Sequence, residues 1–278
     1  MAKINKNSTK NSNKSKSNIN NKQPKRVAMA DKEPLREDIV LGRNGVIEAL
    51  KAKITVEQIL ISKGEKEGSI VKIMALAKEK GVVIKEVDRK KLDSLSQGEA
   101  HQGVVAMVTP FRYSEIQDIL DRAKEREEDP FIIILDEIED PHNLGSIIRT
   151  AELCGAHGIV IPKRRNVGVT PTVYKTSAGA VNYMKIAKVS NINNVIDELK
   201  KENVWVYGAD GEAENFSYNV DFKGAVALVI GSEGRGISKL TREKCDVMVK
   251  IPMVGKVNSL NASVAGSILM YEVLKSRS

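Results

Sequence analysis

Three short segments hold the residues whose types and spacing suit chemistry. The first runs Asp136-Glu-Ile-Glu-Asp-Pro-His-Asn143-Leu-Gly-Ser-Ile-Ile-Arg149. The second is Gly231-Ser-Glu233-Gly-Arg-Gly236, and the third is Pro252-Met-Val-Gly-Lys-Val-Asn-Ser259-Leu260-Asn261-Ala262. Each follows an apolar stretch that reads as a strand: Phe131–Leu135, Ala225–Ile230 and Val247–Ile251. In an open parallel sheet, ligands bind beyond the carboxyl ends of the strands. Three polar or glycine-rich segments leaving one edge therefore point to a site. Arg149 offers a guanidinium fork for phosphate, and the glycines around Glu233 permit close backbone approach to a ligand. Taken singly, each segment also has a structural reading. Asn143 suits a helix cap, Arg149 a solvated face, the glycine loop a turn, and Asn258–Asn261 a cap ahead of small residues that allow tight helix packing.

Other chemistries find little support. The glycine loop matches neither GxGxxG in a βαβ context nor a Walker A loop, since no GK[ST] follows it. His101, His142 and His157 converge with no Ser or Cys, and there is no GxSxG elbow. Cys154 and Cys245 form neither a CxxC pair nor a disulfide framework, and with three scattered histidines they make a structural zinc site improbable. Only 4% of residues are aromatic, which disfavours stacking-based binding of single strands, and the single Trp205 is expected in the core.

The elements that must position these segments alternate along the chain. From about 38 to 110 the pattern is a small α/β domain: a helix over Gly42–Ala52, a strand over Val56–Ser62, and a helix carrying Ile70, Ile73, Met74 and Ala77 and stopped by Gly81. A strand over Val82–Val87, a short helix over Lys90–Ser96 and a strand over Gly103–Val108 complete it. Residues 111–129 read as a charged helical linker ended by Pro130. Residues 130–278 alternate again. Beyond the three strands already named, helices are expected at Leu144–Gly155, Asn194–Glu202, Lys239–Cys245 and Ser263–Lys275. Strands are expected at Gly158–Ile161 and Val204–Tyr207, and Val181–Val189 looks extended. Short apolar strands between helices indicate a mostly parallel sheet covered on both faces.

The 278 residues carry 44 Lys and Arg against 36 Asp and Glu, a net charge of +8. Eight of the basic residues, and no acidic one, fall in residues 1–26, so the remainder balances to zero. Residues 1–33 are rich in Lys, Asn and Ser and are expected to stay disordered, as a solubilising extension or a sequence-independent hold on nucleic acid. No apolar run approaches a membrane span and no apolar h-region follows the first lysines, so a cytoplasmic setting is expected.

The three segments closely resemble the SPOUT methyltransferases, specifically the TrmH-like RNA ribose 2′-O-methyltransferases. The resemblance rests on Asn143-Leu-Gly-Ser-Ile-Ile-Arg149-Thr-Ala, on Leu228-Val-Ile-Gly-Ser-Glu-Gly-Arg-Gly-Ile237, and on Ile251-Pro-Met-Val-Gly-Lys-Val-Asn-Ser-Leu-Asn261-Ala-Ser-Val-Ala, in that order. The domain that opens with Leu41-Gly-Arg-Asn-Gly-Val-Ile-Glu-Ala-Leu50 is similar to the small L30e-like RNA-binding domain of the 23S rRNA guanosine-2′-O-methyltransferase branch. The resemblance implies S-adenosylmethionine as methyl donor, a trefoil-knotted α/β catalytic domain, and a homodimer formed through that domain. It implies that backbone groups of Gly231, Ile251 and Leu260 hold the cofactor. It further implies that Asn143, Arg149, Glu233, Ser259 and Asn261 form the polar active-site set. The expected substrate is a guanosine of 23S rRNA. A tRNA ribose, a 23S rRNA adenosine, or a non-catalytic role in ribosome assembly are the alternatives.

Overall fold

The computed structural model describes residues 36–278 except Lys53, Lys66 and Asn258. The basic extension over 1–33 lies outside the described residues. Two sheets follow from the two alternating stretches. The first is built from β1 (Ile39–Leu41), α1 (Arg43–Lys51), β2 (Val56–Ser62), α2 (Ser69–Glu79), β3 (Val83–Val87), α3 (Arg89–Ser96) and β4 (Val104–Val108). Its strand order is β1-β4-β2-β3, with β2 and β3 parallel and the other pairs antiparallel. The period-two rule of a strand sorts its side chains. Ile59, Ile61, Val104 and Ala106 face α1 and α2, whereas Leu60 and Val105 face Leu92 of α3. Ile70, Ile73 and Ala77 form the buried stripe of α2, but Met74, expected within it, is exposed at its margin. The strand β1 was not legible in the sequence; three residues are too few to show a period.

Next comes α4 (Ile116–Glu125), closed at its start by a reciprocal capping box between Glu115 and Asp118. Its charge suggested a linker, yet Ile119, Leu120 and Ala123 are buried against the second sheet.

That sheet contains β5 (Phe131–Asp136), β6 (Gly158–Pro162), β7 (Lys185–Val189), β8 (Trp205–Ala209), β9 (Asn215–Phe216), β10 (Val226–Gly231) and β11 (Val247–Lys250). Its helices are α5 (Pro141–Leu153), α6 (Pro171–Thr176), α7 (Ile192–Lys201), α8 (Lys239–Lys244) and α9 (Ala262–Arg277). The strand order is β7-β6-β5-β10-β8-β11-β9, and every pairing is parallel. Phe131, Ile133, Leu135, Leu228 and Ile230 pack on one face with α5 and α9, while Ile132, Ile134, Ala227 and Val229 pack on the other with α4 and α7. From β5 the chain winds outward through β6 and β7, whereas β10 leads the opposite way toward β11. The adjacent ends of β5 and β10 thus form a topological switch point, where such sheets open a crevice.

Three elements differ from what their sequence suggests. Val181–Val189 is not extended throughout: Ala180–Asn182 forms a 3₁₀ turn, because Ala178 and Gly179 enter the left-handed region just before it, and only β7 is strand. Trp205 is not in the core; it begins β8 and is 57% exposed, while Val206 and Tyr207 are buried. The helix expected from Leu144 begins at Pro141, since Asp140 accepts from the His142 N–H at 2.9 Å and proline suits the first helical position.

His157 is fully buried at the opposite edge of this sheet, where Nδ1 accepts from the Phe131 N–H at 2.9 Å and Nε2 lies 3.0 Å from Glu128. Accepting at Nδ1 requires the neutral ring, and burial holds its pKa below the ordinary value. Above an unfolded-state pKa of about 6.5 the group leaves stability unchanged. Below it, the unfolded chain gains a proton that the folded ring resists, so stability falls with falling pH toward the depressed folded value. Thermal melts at pH 7.5 and 5.5 should show a larger acid-induced loss for the wild type than for His157→Gln. Equal losses would show that His157 does not contribute.

Candidate active site

Asn143 occupies the third position of α5 and is buried, so it is not the cap that its local sequence suggested. Its Nδ2 donates to Glu233 Oε1 at 2.7 Å, and its Oδ1 accepts from Asn261 Nδ2 at 2.9 Å. Asn261 is a cap: its Oδ1 accepts from the backbone N–H groups of Ser263 (3.0 Å) and Val264 (3.2 Å) and from the Ser263 hydroxyl at 2.6 Å. With that oxygen committed to the first turn of α9, its amide nitrogen must face the site, where it also donates to Glu233. A carboxylate only accepts, so Asn143 must present its own NH₂ to Glu233 and its oxygen to Asn261. This closed triangle links residues 90 and 118 positions apart in the chain and ties all three segments together.

Beside the triangle lies a cleft of about 700 Å³. Its walls include Ile230, Ile251, Leu260 and Leu269, its rim Ser259 and Glu233, and one side is the loop that follows β10. That loop folds back sharply. The Ser232 N–H donates to the Gly236 carbonyl at 3.2 Å and the Gly236 N–H returns to Ser232 at 2.8 Å. A Cβ on Gly231 would stand 2.1–2.3 Å from backbone atoms of Gly236 and Ile237, so no larger residue fits. The buried Asp136 secures the far side by accepting from the Ser238 N–H at 2.8 Å. Asp210 also lines the cleft and pairs with Arg242 at 2.5 Å.

The residues fit S-adenosylmethionine. The apolar side chains of Ile251 and Leu260, with Gly231 beside them, suit the flat adenine, and the carboxylates of Asp210 and Glu233 suit ribose hydroxyls and a cation. Among the described residues, no group of three His, Cys, Asp or Glu side chains is placed to hold a metal. Burial pushes the Cys245 thiol up to about 12, so it is not a ready nucleophile.

Arg149 stands apart. It lies six residues beyond Asn143, about 9 Å further along the helix axis at 1.5 Å per residue. Its side chain is exposed and makes no hydrogen bond or ion pair with the described residues. The structure thus brings Asn143, Glu233 and Asn261 into contact and gathers Gly231, Ile251, Ser259 and Leu260 around the cleft. It does not bring Arg149 to them within one chain. Asp136 and Glu137 open the first segment without a role of their own in the sequence, although their place at the carboxyl end of β5 marks them as site residues.

Comparisons with known proteins identify the family. Residues 130–271 match the SpoU rRNA Methylase family, and residues 39–114 match the family described as RNA 2′-O ribose methyltransferase substrate binding. YacO of Bacillus subtilis (strain 168), placed in the TrmH family of tRNA/rRNA methyltransferases, is 49% identical over 242 residues, covering 87% of this chain and 97% of its own. A TrmH-family relative from Staphylococcus aureus (strain MSSA476) is 43% identical over 243 residues, covering 87% and 98%. Among solved structures, the SpoU methyltransferase AviRb from Streptomyces viridochromogenes, in complex with AdoMet, superimposes with a TM-score of 0.57 at 26% identity, over 85% of this chain and 89% of that one. An AdoMet-bound rRNA methyltransferase from Sinorhizobium meliloti shares the fold at a TM-score of 0.55 and 24% identity, over 85% and 86%. With both of its sheets matched by family models and relatives aligned along nearly their whole length, the chain belongs to the SpoU (TrmH) family of RNA methyltransferases.

Proposed function

We propose that this protein transfers a methyl group from S-adenosylmethionine to a ribose 2′-OH of RNA, with a guanosine of 23S rRNA as substrate. The observation that carries this reading is the Asn143–Glu233–Asn261 triangle beside the cleft at the switch point. The substrate-binding match over residues 39–114 supports an RNA ribose, and the tRNA/rRNA description of the relatives keeps a tRNA ribose as the second reading.

The bound cofactor supplies a methyl already activated on a cationic sulfur, with a neutral leaving group. The protein's task is then to hold the 2′-OH in line and favour its alkoxide character. Gly231, Ile251 and Leu260 hold the adenosine by backbone contacts, and Ser259 orients the ribose. Asn143 and Asn261 fix Glu233, which sets the loop between cofactor and substrate. Arg149 does not act as a free base, because a guanidinium stays protonated in proteins. It is instead the electrostatic partner of the adjacent phosphate and the developing oxyanion, a charge-assisted contact typically worth about 1.5–3 kcal/mol.

Because Arg149 is exposed and remote from the triangle, this reading takes the working unit to be a homodimer in which one protomer's Arg149 serves its partner's cleft. Val264, Ile268 and Tyr271 repeat at helical spacing on α9 and are exposed, as is Leu153 on α5. An uncovered apolar stripe of this kind marks an interaction surface. The trefoil knot belongs to the same reading. Its support is that α9 packs on β10 and α5 although the chain reaches it from β11, beyond β8.

The test is transfer of labelled methyl from S-adenosylmethionine to separated rRNA and tRNA, followed by nuclease mapping of the modified ribose. Label at a 23S rRNA guanosine is the expected result. Label in tRNA alone would overturn the rRNA assignment, and label on a base would overturn the ribose chemistry.

A further inference from the structure

Glu137, the first residue beyond β5, has φ +61, and Arg165, in the loop after β6, has φ +55. Non-glycine residues in this left-handed region cost free energy and persist where their surroundings hold them. Here the backbone is pinned. The Ile138 N–H donates to Asn166 Oδ1 at 2.9 Å, Asn166 Nδ2 donates to the Val167 carbonyl at 2.8 Å, and the Val167 N–H donates to the Ile138 carbonyl at 2.9 Å. What this arrangement presents is a shared ion pair. Arg165 Nη1 donates to one oxygen of Glu137 at 2.9 Å, and Arg235 Nη1, from the glycine loop after β10, donates to the other at 3.1 Å.

The carboxylate is only 18% exposed, whereas the two guanidiniums are 72% and 74% exposed. Ion pairs with so much solvent contribute little to stability, so stability does not account for the device. One carboxylate offsets one of the two cations, and each guanidinium uses a single one of its five donors on Glu137. Lys163 and Arg164, also exposed, add positive charge beside Arg165. Of the nearby acids, Glu139 also attracts Arg165 and offsets part of its charge, and Asp140 is engaged as the cap of α5. Glu137 and Arg235 line a second pocket of about 250 Å³ together with Glu139, Asp140, Asn143 and Glu233, so the pair stands directly beside the triangle. The pocket itself is acidic, and the exposed cations Lys163, Arg164 and Arg165 lie on the neighbouring loop after β6.

We propose that Arg165 and Arg235, held side by side by Glu137, form a phosphate clamp that grips the RNA backbone next to the nucleotide being methylated. This rests on the RNA methyl-transfer reading. The forks of two guanidiniums suit a phosphodiester, and their place on the loops after β6 and β10, on either side of the end of β5, sets the register of the strand against the cleft. Glu137 is a positioning residue, acting through the two arginines.

The experiment measures binding of the full chain to in-vitro-transcribed 23S rRNA at several salt concentrations, with S-adenosylhomocysteine affinity measured in parallel. Arg165→Ala and Arg235→Ala should each weaken RNA binding roughly fivefold to tenfold near 0.1 M salt and lower the salt slope by about one, as loss of one phosphate contact does. Arg165→Lys, which keeps the charge, should restore the slope. Cofactor affinity should stay unchanged in Arg165→Ala, whose side chain lies outside the cleft that Arg235 helps to line. Unaltered RNA affinity and slope in both alanine variants would overturn the clamp. So would a loss confined to S-adenosylhomocysteine, which would place the arginines on the cofactor's carboxylate. Because binding is read directly, the clamp can fail while methyl transfer stands, and a wild type that binds RNA without methylating it would sink only the underlying function.

Discussion

Replacing Arg149 with alanine is expected to lower methyl transfer about 10²–10³-fold, the usual cost of removing a group that stabilises developing negative charge, while cofactor affinity stays within about twofold. The expectation follows from two facts. Arg149 lies outside the cleft that would hold the cofactor, and its exposed side chain makes no polar contact with the described residues. Truncation therefore leaves the fold and the triangle in place. A variant that keeps near-wild-type turnover would remove Arg149 from the mechanism. Its assignment to the partner's cleft has a separate test. Arg149→Ala and Asn143→Ala, each strongly impaired alone, are mixed and allowed to exchange protomers. If one protomer's arginine serves the other's site, each mixed dimer contains one intact site, and activity should return to about a quarter of wild type after random exchange in a twofold-symmetric dimer. If each arginine serves its own chain, every site carries a defect and nothing returns.

Gly231→Ala should act on the other half of the reaction. The added methyl would fall 2.1–2.3 Å from the backbone of Gly236 and Ile237, and no side chain rotation can relieve a clash with main chain. The loop is also held by the paired hydrogen bonds between Ser232 and Gly236 and by Asp136 on Ser238, so it must deform as a unit. Overpacking of this kind typically costs about 1–3 kcal/mol. Spent on opening the cleft, that is roughly a tenfold to hundredfold loss of S-adenosylmethionine affinity, measurable by calorimetry. RNA contact through Arg165, which lies on the separate loop after β6, should change far less. A variant that binds cofactor normally would show that the loop is not part of the cofactor site.

Much of the architecture was legible before any coordinates. Phe131–Leu135 and Ala225–Ile230 are short apolar runs, and a strand buried on both faces has to be one. Both lie in the centre of the sheet, hydrogen-bonded to each other from Phe131 and Val226 onward. Long helices with a buried stripe were legible for the same reason. The elements that escaped are short or shaped by neighbours. The six residues of α6 and the two of β9 are too few to show a period, and β9 exists through its pairing with β11. Trp205 misled because its type suggests burial, while its position at the very start of β8 decides its exposure.

The sequence by itself determined the chemistry on offer: a neutral body carrying an asparagine and an arginine on one helix, a glutamate in a glycine loop, and an asparagine ahead of small residues. It also determined that all three segments leave strands at one edge. It did not determine what each side chain does there. Asn143 looked like a cap and is not one; Asn261 is a cap and also a site residue; Arg149 belongs to neither the triangle nor the cleft of its own chain. The reason is physical. Helices and strands arise from patterns spanning a few residues, whereas the partners of Asn143 come from 90 and 118 positions away. Those partners meet it because β10 enters the sheet beside β5 with Gly231 opposite Asp136. A register shifted by one residue would turn every side chain of β10 to the other face and dissolve the triangle. Strand order and register are properties of the packed whole, and they turn separate motifs into one site.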